Sequence, residues 1–307
     1  MGIENDEGAA RELIEAWRDR GGFLSTPDGD VFFIDTGVPS AIGSDPEAPP
    51  LLVIHGFPTS SFDFRGVIDR LSESRRVILF DQIGFGLSDK PDRRYGIHLH
   101  ADTTEAVIGE LGLSCFDLLT HDMGDSVGGE LLARHLERGT VSTVGRRVLT
   151  NGSIYLEMAQ LTIGQQLLMS LPDEATGEIP VDNFVGGVTG TFAGASEVDH
   201  IDSLAHGLLG QNNGGLSLMA RLIRYLEDRQ AEEARFTGAI ETHPSPLHIV
   251  WGDLDPVAVG DMAGRLAERT RLRGQGHLSV EILDGVGHYP MIESPDRFAD
   301  AVIRGLT

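Results

Sequence analysis

The 307-residue sequence has a single cysteine, and acidic residues far outnumber basic ones. Because Cys115 stands alone, an intrachain disulfide is excluded, and the sequence is typical of proteins from a reducing compartment. The formal net charge is −23. Such a charge argues against nucleic acid or an anionic membrane surface as the partner.

Long apolar runs and metal-binding motifs are also missing. No run of 18 apolar residues occurs, and the polar start MGIENDEG does not resemble a signal peptide. The sequence has neither an HExxH motif nor paired cysteines, so we expect no metal site. These absences predict a soluble cytoplasmic protein that binds no membrane. They leave the oligomeric state open, a homodimer included.

What the sequence does contain is an alternation of short apolar runs with helical segments. Hydrophobic residues make up 40% of the chain, enough for a packed core. The runs that we interpret as buried strands are residues 51–54, 77–80, 116–120, 147–151, 246–251 and 278–283. Strands that alternate with helices predict an α/β fold with a mainly parallel central sheet and helices on both faces.

One region interrupts this alternation. Residues 154–245 contain helical pieces joined by Gly-rich segments such as GQNNGG, without regular strands. We interpret them as a helical cap inserted over the site. The core would then consist of residues 1–153 and 246–307, which the cap separates in sequence but not in space.

The segment Thr120-His121-Asp122-Met123-Gly124 has the spacing of a nucleophile elbow. In an elbow, a sharp turn from strand to helix exposes one side chain at the carboxyl edge of a sheet. The usual residue at the tip is serine, but here it is Asp122. A carboxylate attacks an sp³ carbon that bears a leaving group, such as an epoxide or an alkyl halide, and forms an alkyl ester.

Three further polar residues follow predicted strands later in the chain. Asp253 and Asp255 follow the strand at 246–251, and His288 follows the last strand. The carboxyl ends of parallel strands lie at one edge of a sheet, where open α/β sheets bind ligands. The chain order of nucleophile, acid and histidine is that of the α/β-hydrolase triad.

Together, the Asp elbow and the motifs HGFPTSS, DQIGFGLSDKP, WGDLDPV and GHYP resemble the α/β-hydrolase superfamily. They are similar to its branch of epoxide hydrolases and haloalkane dehalogenases, and to the mesoderm-specific transcript proteins with their bacterial relatives. The resemblance covers nearly the whole chain from about residue 20. In this family the acid follows Gly and two other residues, which selects Asp255 over Asp253.

The resemblance implies a two-step hydrolysis without a metal or an organic cofactor. Asp122 would form a covalent ester with the substrate. His288, oriented by Asp255, would then activate the water that hydrolyses this ester. The backbone N–H groups of Phe57 and Met123 would form the oxyanion hole.

Departures from the family pattern bear on the choice of substrate. Haloalkane dehalogenases bind the halide through donors at the positions of Met123 and Phe57, and neither residue is a strong donor. The resemblance therefore favours an epoxide hydrolase, in which a cap tyrosine protonates the opening oxygen. Tyr155 and Tyr225 are the candidates. Met219 occupies the place of the usual first tyrosine, and His200 or His206 could substitute as the acid.

We expect a small hydrophobic substrate. Its predicted contacts are His55, Pro58, Asp125 and Tyr289. Apolar cap residues that could line a hydrophobic pocket are Leu161, Ile163, Leu167, Leu168, Phe184 and Phe192. Asp125 has two interpretations, a charge favoured by the helix dipole or a second carboxylate that tunes Asp122. A dehalogenase with atypical halide ligands, and a binding protein on a hydrolase scaffold, remain alternatives.

Overall fold

The computed structural model describes residues 2–39, 48–139, 142–175, 177–194, 198–274 and 277–307, with side chains from Asp6 onward. The strands are β1 (Gly22–Thr26), β2 (Gly29–Asp35), β3 (Leu51–Ile54), β4 (Val77–Phe80), β5 (Cys115–His121), β6 (Thr143–Thr150), β7 (Leu247–Gly252) and β8 (Leu278–Leu283). They form one sheet in the order β1-β2-β4-β3-β5-β6-β7-β8. β1, β2 and β4 pair antiparallel, and the pairs from β4 to β8 are parallel.

This sheet confirms the predicted mainly parallel architecture. Every residue of β3, β4 and β7 is buried, because both faces of these strands are covered by other elements. The parallel strands β3, β5, β6, β7 and β8 all end at the same edge of the sheet. The loops that follow them therefore converge there, and these loops carry the polar residues that the sequence singled out.

Helices surround the sheet and fill the long connection between β6 and β7. They are α1 (Gly2–Arg18), α2 (Ile68–Ser72), α3 (Ile97–Glu110), α4 (Met123–Arg138), α5 (Ile163–Ser170), α6 (Val181–Thr189), α7 (His200–Gln211), α8 (Met219–Leu222), α9 (Tyr225–Thr242), α10 (Asp261–Leu272), α11 (Pro290–Glu293) and α12 (Pro295–Gly305). Two 3₁₀ turns span Ser61–Phe64 and Asn212–Ser217. None of the helices in the described ranges is both long and apolar enough to cross a bilayer.

The helices between β6 and β7 contact the core in two ways. α7 packs against α1, and the Asn212 amide donates a hydrogen bond of 3.0 Å to the Gly86 carbonyl. α9 instead packs along α4, the helix of the elbow. The second part of the predicted cap thus lies against the core, while the boundaries at 154 and 245 stay a prediction.

Candidate active site

The elbow forms at the junction of β5 and α4. Asp122 lies between the two elements with φ 50° and ψ −114°, a backbone conformation that is strained for any residue other than glycine. A Cβ atom at Gly124 would lie 2.4 Å from the Ile54 carbonyl oxygen, so only glycine lets α4 approach β3 this closely. The predicted elbow therefore forms around Asp122.

The two carboxylate oxygens of Asp122 have different surroundings. Oδ2 accepts a hydrogen bond of 3.0 Å from the Phe57 N–H. Oδ1 lies 3.9 Å from His288 Nε2 and, among the described residues, accepts no hydrogen bond. Gly56 makes room for this arrangement, because a Cβ there would lie 2.7 Å from the Asp122 Cβ. One oxygen is held by the backbone, and the other is left for chemistry.

His288 is held by Asp255 on its other ring nitrogen. Nδ1 lies 2.8 Å from Asp255 Oδ2, so Nδ1–H is the donor and Nε2 faces Asp122. Asp255 Oδ1 accepts from the N–H groups of Val257, at 2.7 Å, and Ala258, at 2.9 Å. The structure thus brings Asp122, Asp255 and His288 together in the geometry of a triad.

The charges around His288 govern its protonation. Burial alone would lower the pKa of His288, but Asp255 and then Asp122 outweigh burial and raise this pKa to about 9. The resting site therefore holds a protonated imidazolium beside the Asp122 carboxylate. Any change that removed the charge of Asp122 would lower the pKa of His288.

Asp253 has a different role from Asp255. Its Oδ1 accepts a hydrogen bond of 2.7 Å from the Gly285 N–H and joins the loops after β7 and β8. The contact with His288 is made by Asp255. The geometry therefore agrees with the choice of Asp255 as the acid.

Three residues that the sequence analysis did not single out hold the triad in place. The Asn151 amide donates to Asp255 Oδ2 at 2.7 Å. Glu293 accepts from the N–H groups of Gly287, at 3.0 Å, and Tyr289, at 2.9 Å, on either side of His288. Asn151 is the polar last residue of a predicted strand, a signal that could have identified it. Glu293 lies on the short helix α11, with no such signal.

His121 is the third of these residues. Its Nε2–H donates to the His288 carbonyl at 2.8 Å, which ties the base to the elbow strand. Burial, and next to it the charge of His288, lower the pKa of His121 to about 4, so its imidazole stays neutral. Its position directly before Asp122 was a signal in the sequence.

The predicted oxyanion groups lie next to the Asp122 carboxylate. The Phe57 N–H contacts Oδ2, which would become the carbonyl oxygen of an ester formed through Oδ1. Met123 is the first residue of α4, where backbone N–H groups have no partner within the helix. The role of these groups as an oxyanion hole stays a prediction.

The two candidate tyrosines have different surroundings. The Tyr155 hydroxyl donates a hydrogen bond of 2.9 Å to Glu241, and Arg269 stacks on its ring at 5.4 Å. Tyr225 is fully buried, and within the described ranges its hydroxyl has no partner. Its ring centroid lies 5.6 Å from that of Phe57, whose N–H contacts Asp122. Of these two tyrosines, Tyr225 is the one whose hydroxyl has no partner among the described residues.

The two cap histidines lie elsewhere. His206 is buried against Asp63, with its Nδ1 at 3.4 Å from the carboxylate, and burial lowers its pKa to about 3. His200 is exposed on the surface, 4.0 Å from Asp6. Neither histidine is placed to protonate a substrate at Asp122.

A cavity of about 430 Å³ opens beside the triad, a size typical of small-molecule sites. Its wall consists of Phe57, Pro58, Thr162, Gly164, Gln165, Leu167, Leu168, Gly177, Glu178, Ile179, Pro180, Asn183, Phe184, Gly187, Val188, Thr191, Met219, Val257, His288 and Tyr289. Among the described residues this wall contains no Lys, Arg or Trp. Asp122 and Tyr225 do not line the cavity, and both contact Phe57, which does.

The four predicted substrate contacts separate into two groups. Pro58 and Tyr289 line the cavity, whereas His55 and Asp125 do not. His55 uses both ring nitrogens on the main chain, since Nδ1 donates to the Gly56 carbonyl and Nε2 accepts from the Gln82 N–H. The structure therefore gives His55 a place in the support of the loop after β3.

Asp125 lies under the elbow rather than in the cavity. It is buried and accepts a hydrogen bond from Thr120, while its N–H donates to the Asp122 carbonyl at 3.0 Å. Burial, and then the Asp122 carboxylate, raise the pKa of Asp125 well above its usual range. A buried carboxyl that supports the turn is thus the role that the contacts indicate. In the described part of the chain no three His, Cys, Asp or Glu residues are grouped to hold a metal ion.

Comparison with known proteins places this geometry in a family. Residues 51–301 match the alpha/beta hydrolase family. LipZ of Mycobacterium tuberculosis, which is named as a hydrolase, is 38% identical over 94% of this chain and 96% of its own length. The mesoderm-specific transcript homolog protein of Bos taurus is 34% identical over 94% of this chain and 86% of its own length.

A solved structure shows the same fold. Haloalkane dehalogenase DbeA from Bradyrhizobium elkani superposes with a TM-score of 0.76 at 20% identity, over 93% of this chain and 97% of that one. At this identity the likeness shows the fold alone. The resemblance seen in the motifs is confirmed, and the chain belongs to the alpha/beta hydrolase family.

Proposed function

We propose that this protein is an epoxide hydrolase that uses Asp122 as its nucleophile and releases a vicinal diol. The observation that carries the proposal is the geometry at Asp122. Its buried Oδ1 is free of hydrogen bonds from the described residues and lies 3.9 Å from the base His288. A carboxylate so placed can attack an sp³ carbon, and the resulting ester lies within reach of an activated water.

The first step is alkylation of Asp122. Oδ1 attacks one ring carbon, the bond from that carbon to the ring oxygen breaks, and its electron pair stays on the oxygen. Tyr225 gives its hydroxyl proton to this oxygen and becomes a phenolate. The protonated His288 then loses its proton, because alkylation removes the Asp122 charge that helped to hold it. Solvent takes the proton from His288 and gives a proton to the phenolate, which restores the hydroxyl of Tyr225.

The second step is hydrolysis of the ester. Neutral His288 takes a proton from a water molecule through Nε2, and the hydroxide attacks the carboxyl carbon of Asp122. Negative charge develops on Oδ2, where the Phe57 N–H donates its hydrogen bond. The intermediate collapses as the bond between the carboxyl carbon and Oδ1 breaks. The diol leaves with Oδ1 and with the second proton of the water, so Asp122 is again a carboxylate and His288 is again protonated.

The cavity supports an uncharged, mainly apolar substrate. Leu168, Phe184, Val188 and Met219 supply apolar wall, and Glu178 lies at the exposed part. His288, the cation of the described wall, is already paired with Asp122 and Asp255, so no free cation there binds an acidic substrate. Epoxides therefore fit better than halogenated acids, and Tyr225 offers the acid that an epoxide needs and a halide does not.

The test is single-turnover mass spectrometry of the His288→Gln variant with styrene oxide and other epoxides, and with haloalkanes. An adduct on the peptide that contains Asp122, formed from epoxides, supports the proposal. An adduct formed only from haloalkanes with halide release would favour a dehalogenase. Adducts on another residue would contradict the role of Asp122. A folded variant that forms no adduct, together with a wild type that turns over none of the compounds, would favour a binding protein.

A further inference from the structure

Arg229 is a buried cation directly behind the site. It lies on α9, four residues after Tyr225, and is only 1% exposed. Its Nε donates to the Ser126 hydroxyl at 2.9 Å, and its Nη1 donates to the Ser153 hydroxyl at 2.7 Å. Ser126 lies on α4, four residues after Asp122, and Ser153 follows β6. Arg229 therefore connects the helix of Tyr225 to the helix of the nucleophile.

The hydrogen bonds of Arg229 leave its charge without a carboxylate partner. Within the described ranges no Asp or Glu forms an ion pair with Arg229, and its Nη2 has no hydrogen-bond partner. Arg235 on the same helix does have carboxylate partners, since it forms ion pairs with both Glu130 and Glu137. A buried guanidinium held only by hydroxyl groups is costly to desolvate, so a purely structural role explains it poorly.

What the guanidinium faces is the ring of Tyr225. The Arg229 Cζ lies 5.0 Å from the ring centroid, within the range of a cation–π contact. The Tyr225 hydroxyl has no partner among the described residues, and the ring also packs on Phe57. The ring is thus in contact with both Arg229 and Phe57, while its hydroxyl has no partner among the described residues.

We propose that Arg229 is the positioning residue of Tyr225, which it orients through its stacked guanidinium and whose phenolate it stabilises after proton transfer. This inference rests on the proposed function, in which Tyr225 donates its proton to the opening ring oxygen. The cation strengthens its contact with the ring when the ring becomes negative. Its effect is therefore larger in the transition state than in the resting enzyme, and this is the condition for catalysis.

The electrostatic balance at Tyr225 agrees with this role. Burial raises the pKa of Tyr225, and the nearby Asp122 carboxylate raises it further, whereas Arg229 lowers it. Asp125 is a second buried carboxyl near Arg229; burial and Asp122 raise its pKa well above the usual range, although Thr120 and Arg229 lower it. Among the described residues Asp125 forms no ion pair with Arg229, whereas the ring of Tyr225 is in contact with the guanidinium.

The kinetic test separates alkylation from ester hydrolysis in single turnovers with styrene oxide. Arg229→Gln is expected to slow alkylation at least about tenfold, and Arg229→Lys to recover part of the loss. Tyr225→Phe is expected to slow alkylation by roughly 10²-fold. Arg229→Gln added to Tyr225→Phe should cause no further loss, and ester hydrolysis should be unchanged throughout. Arg235→Gln is the matched control, with the same charge change on the same helix.

Two results would overturn the positioning role. One is a loss from Arg229→Gln that multiplies the loss from Tyr225→Phe, and the other is an equal slowing of both steps. Either result would mean that Arg229 only supports the packing of α9. If Arg229→Gln does not fold, Arg229→Lys and Ser153→Ala carry the same test. Ser153→Ala removes the acceptor of Nη1 and should slow alkylation alone.

A second readout does not need turnover. The chain has four tyrosines, so replacement of all of them by 3,5-difluorotyrosine gives a simple ¹⁹F NMR spectrum, and Tyr225→Phe identifies one signal. The fluorines lower the phenol pKa into a range that can be titrated. We expect the Tyr225 signal to titrate at higher pH in Arg229→Gln than in the parent, with Arg229→Lys between them.

An unchanged Tyr225 midpoint in Arg229→Gln would contradict the inference whatever the substrate is. A shifted midpoint together with a wild type that no epoxide alkylates would instead contradict the proposed function. The two failures are therefore distinguishable.

Discussion

The sheet side and the cap side of the site differ in how their polar groups are satisfied. On the sheet side, Asp255 accepts hydrogen bonds from His288, Asn151 and two backbone N–H groups. On the cap side, the buried Tyr225 hydroxyl has no partner among the described residues. An unsatisfied buried hydroxyl is costly. The sheet side is thus preorganised, whereas on the cap side we propose that the substrate supplies the missing partner of Tyr225.

The largest effect is expected from the nucleophile on the sheet side. Asp122→Asn should reduce turnover of styrene oxide by about 10⁵-fold or more, because no ester forms. It should also lower the pKa of His288 below about 9, since the Asp122 charge contributes to that value. Steady-state kinetics and NMR titration of the imidazole measure the two effects. Turnover within tenfold of wild type would break the assignment of the nucleophile.

The next effect separates two neighbouring carboxylates. Asp255→Asn should reduce turnover by about 10⁴-fold, because the partner that fixes the His288 tautomer is lost. The same variant should lower the pKa of His288, for which Asp255 is the main raising charge. Asp253→Asn is the matched control and should lose only the contact with Gly285. Equal losses in the two variants would contradict the choice of Asp255.

A smaller effect compares two tyrosines. Tyr225→Phe should slow alkylation by roughly 10²-fold and leave stability nearly unchanged, since its hydroxyl has no partner to lose. Tyr155→Phe should leave alkylation unchanged and lower the free energy of unfolding by about 1 kcal/mol, since the bond to Glu241 is lost. Rapid-quench kinetics and urea denaturation test both. The reverse pattern would assign the acid to Tyr155.

The smallest effect concerns Asp63, which faces His206 of the cap, Thr59 and the triad. Burial raises the pKa of Asp63 well above its usual range, so this carboxyl takes up a proton on folding at any pH between the unfolded and the folded pKa. The protonated Asp63 makes its full contribution to the free energy of unfolding below the unfolded pKa of about 4. This contribution is lost as pH rises toward the folded pKa. The free energy of unfolding of Asp63→Asn should thus rise by about 1 kcal/mol relative to that of wild type as pH rises from about 5 to about 8.

Urea denaturation at the two pH values measures this difference. Asp69→Asn, at a carboxylate that is 80% exposed, is the control for the change of charge. A difference between Asp63→Asn and wild type that does not change with pH would show that Asp63 is ionised in the folded protein.

The sheet side could be predicted from the sequence because its signals are local. The elbow is a contiguous strand, turn and helix, so the spacing of Asp122 and Gly124 determines it. Asp255 and His288 could be placed because the carboxyl ends of parallel strands share one edge of the sheet. The mainly parallel fold itself is confirmed.

The cap side could not be predicted in the same way, because partners distant in the chain decide it. Tyr155 and Tyr225 both lie in apolar surroundings in the sequence, and only the contact of Tyr155 with Glu241, 86 positions away, distinguishes them. His55 looked like a group of the site, yet Gly56 and Gln82 occupy both its nitrogens. The catalytic roles of the site residues remain predictions for experiment.

The most direct test of the central claim is a single turnover of the wild-type enzyme in H₂¹⁸O, with enzyme in excess over styrene oxide. If Asp122 forms an ester that water cleaves at its carboxyl carbon, the label enters the Asp122 carboxylate and the diol of this first turnover is unlabelled. Mass spectrometry of the Asp122 peptide and of the diol reads both. Label in the diol, with none in the peptide, would mean direct attack of water on the epoxide and would contradict the account.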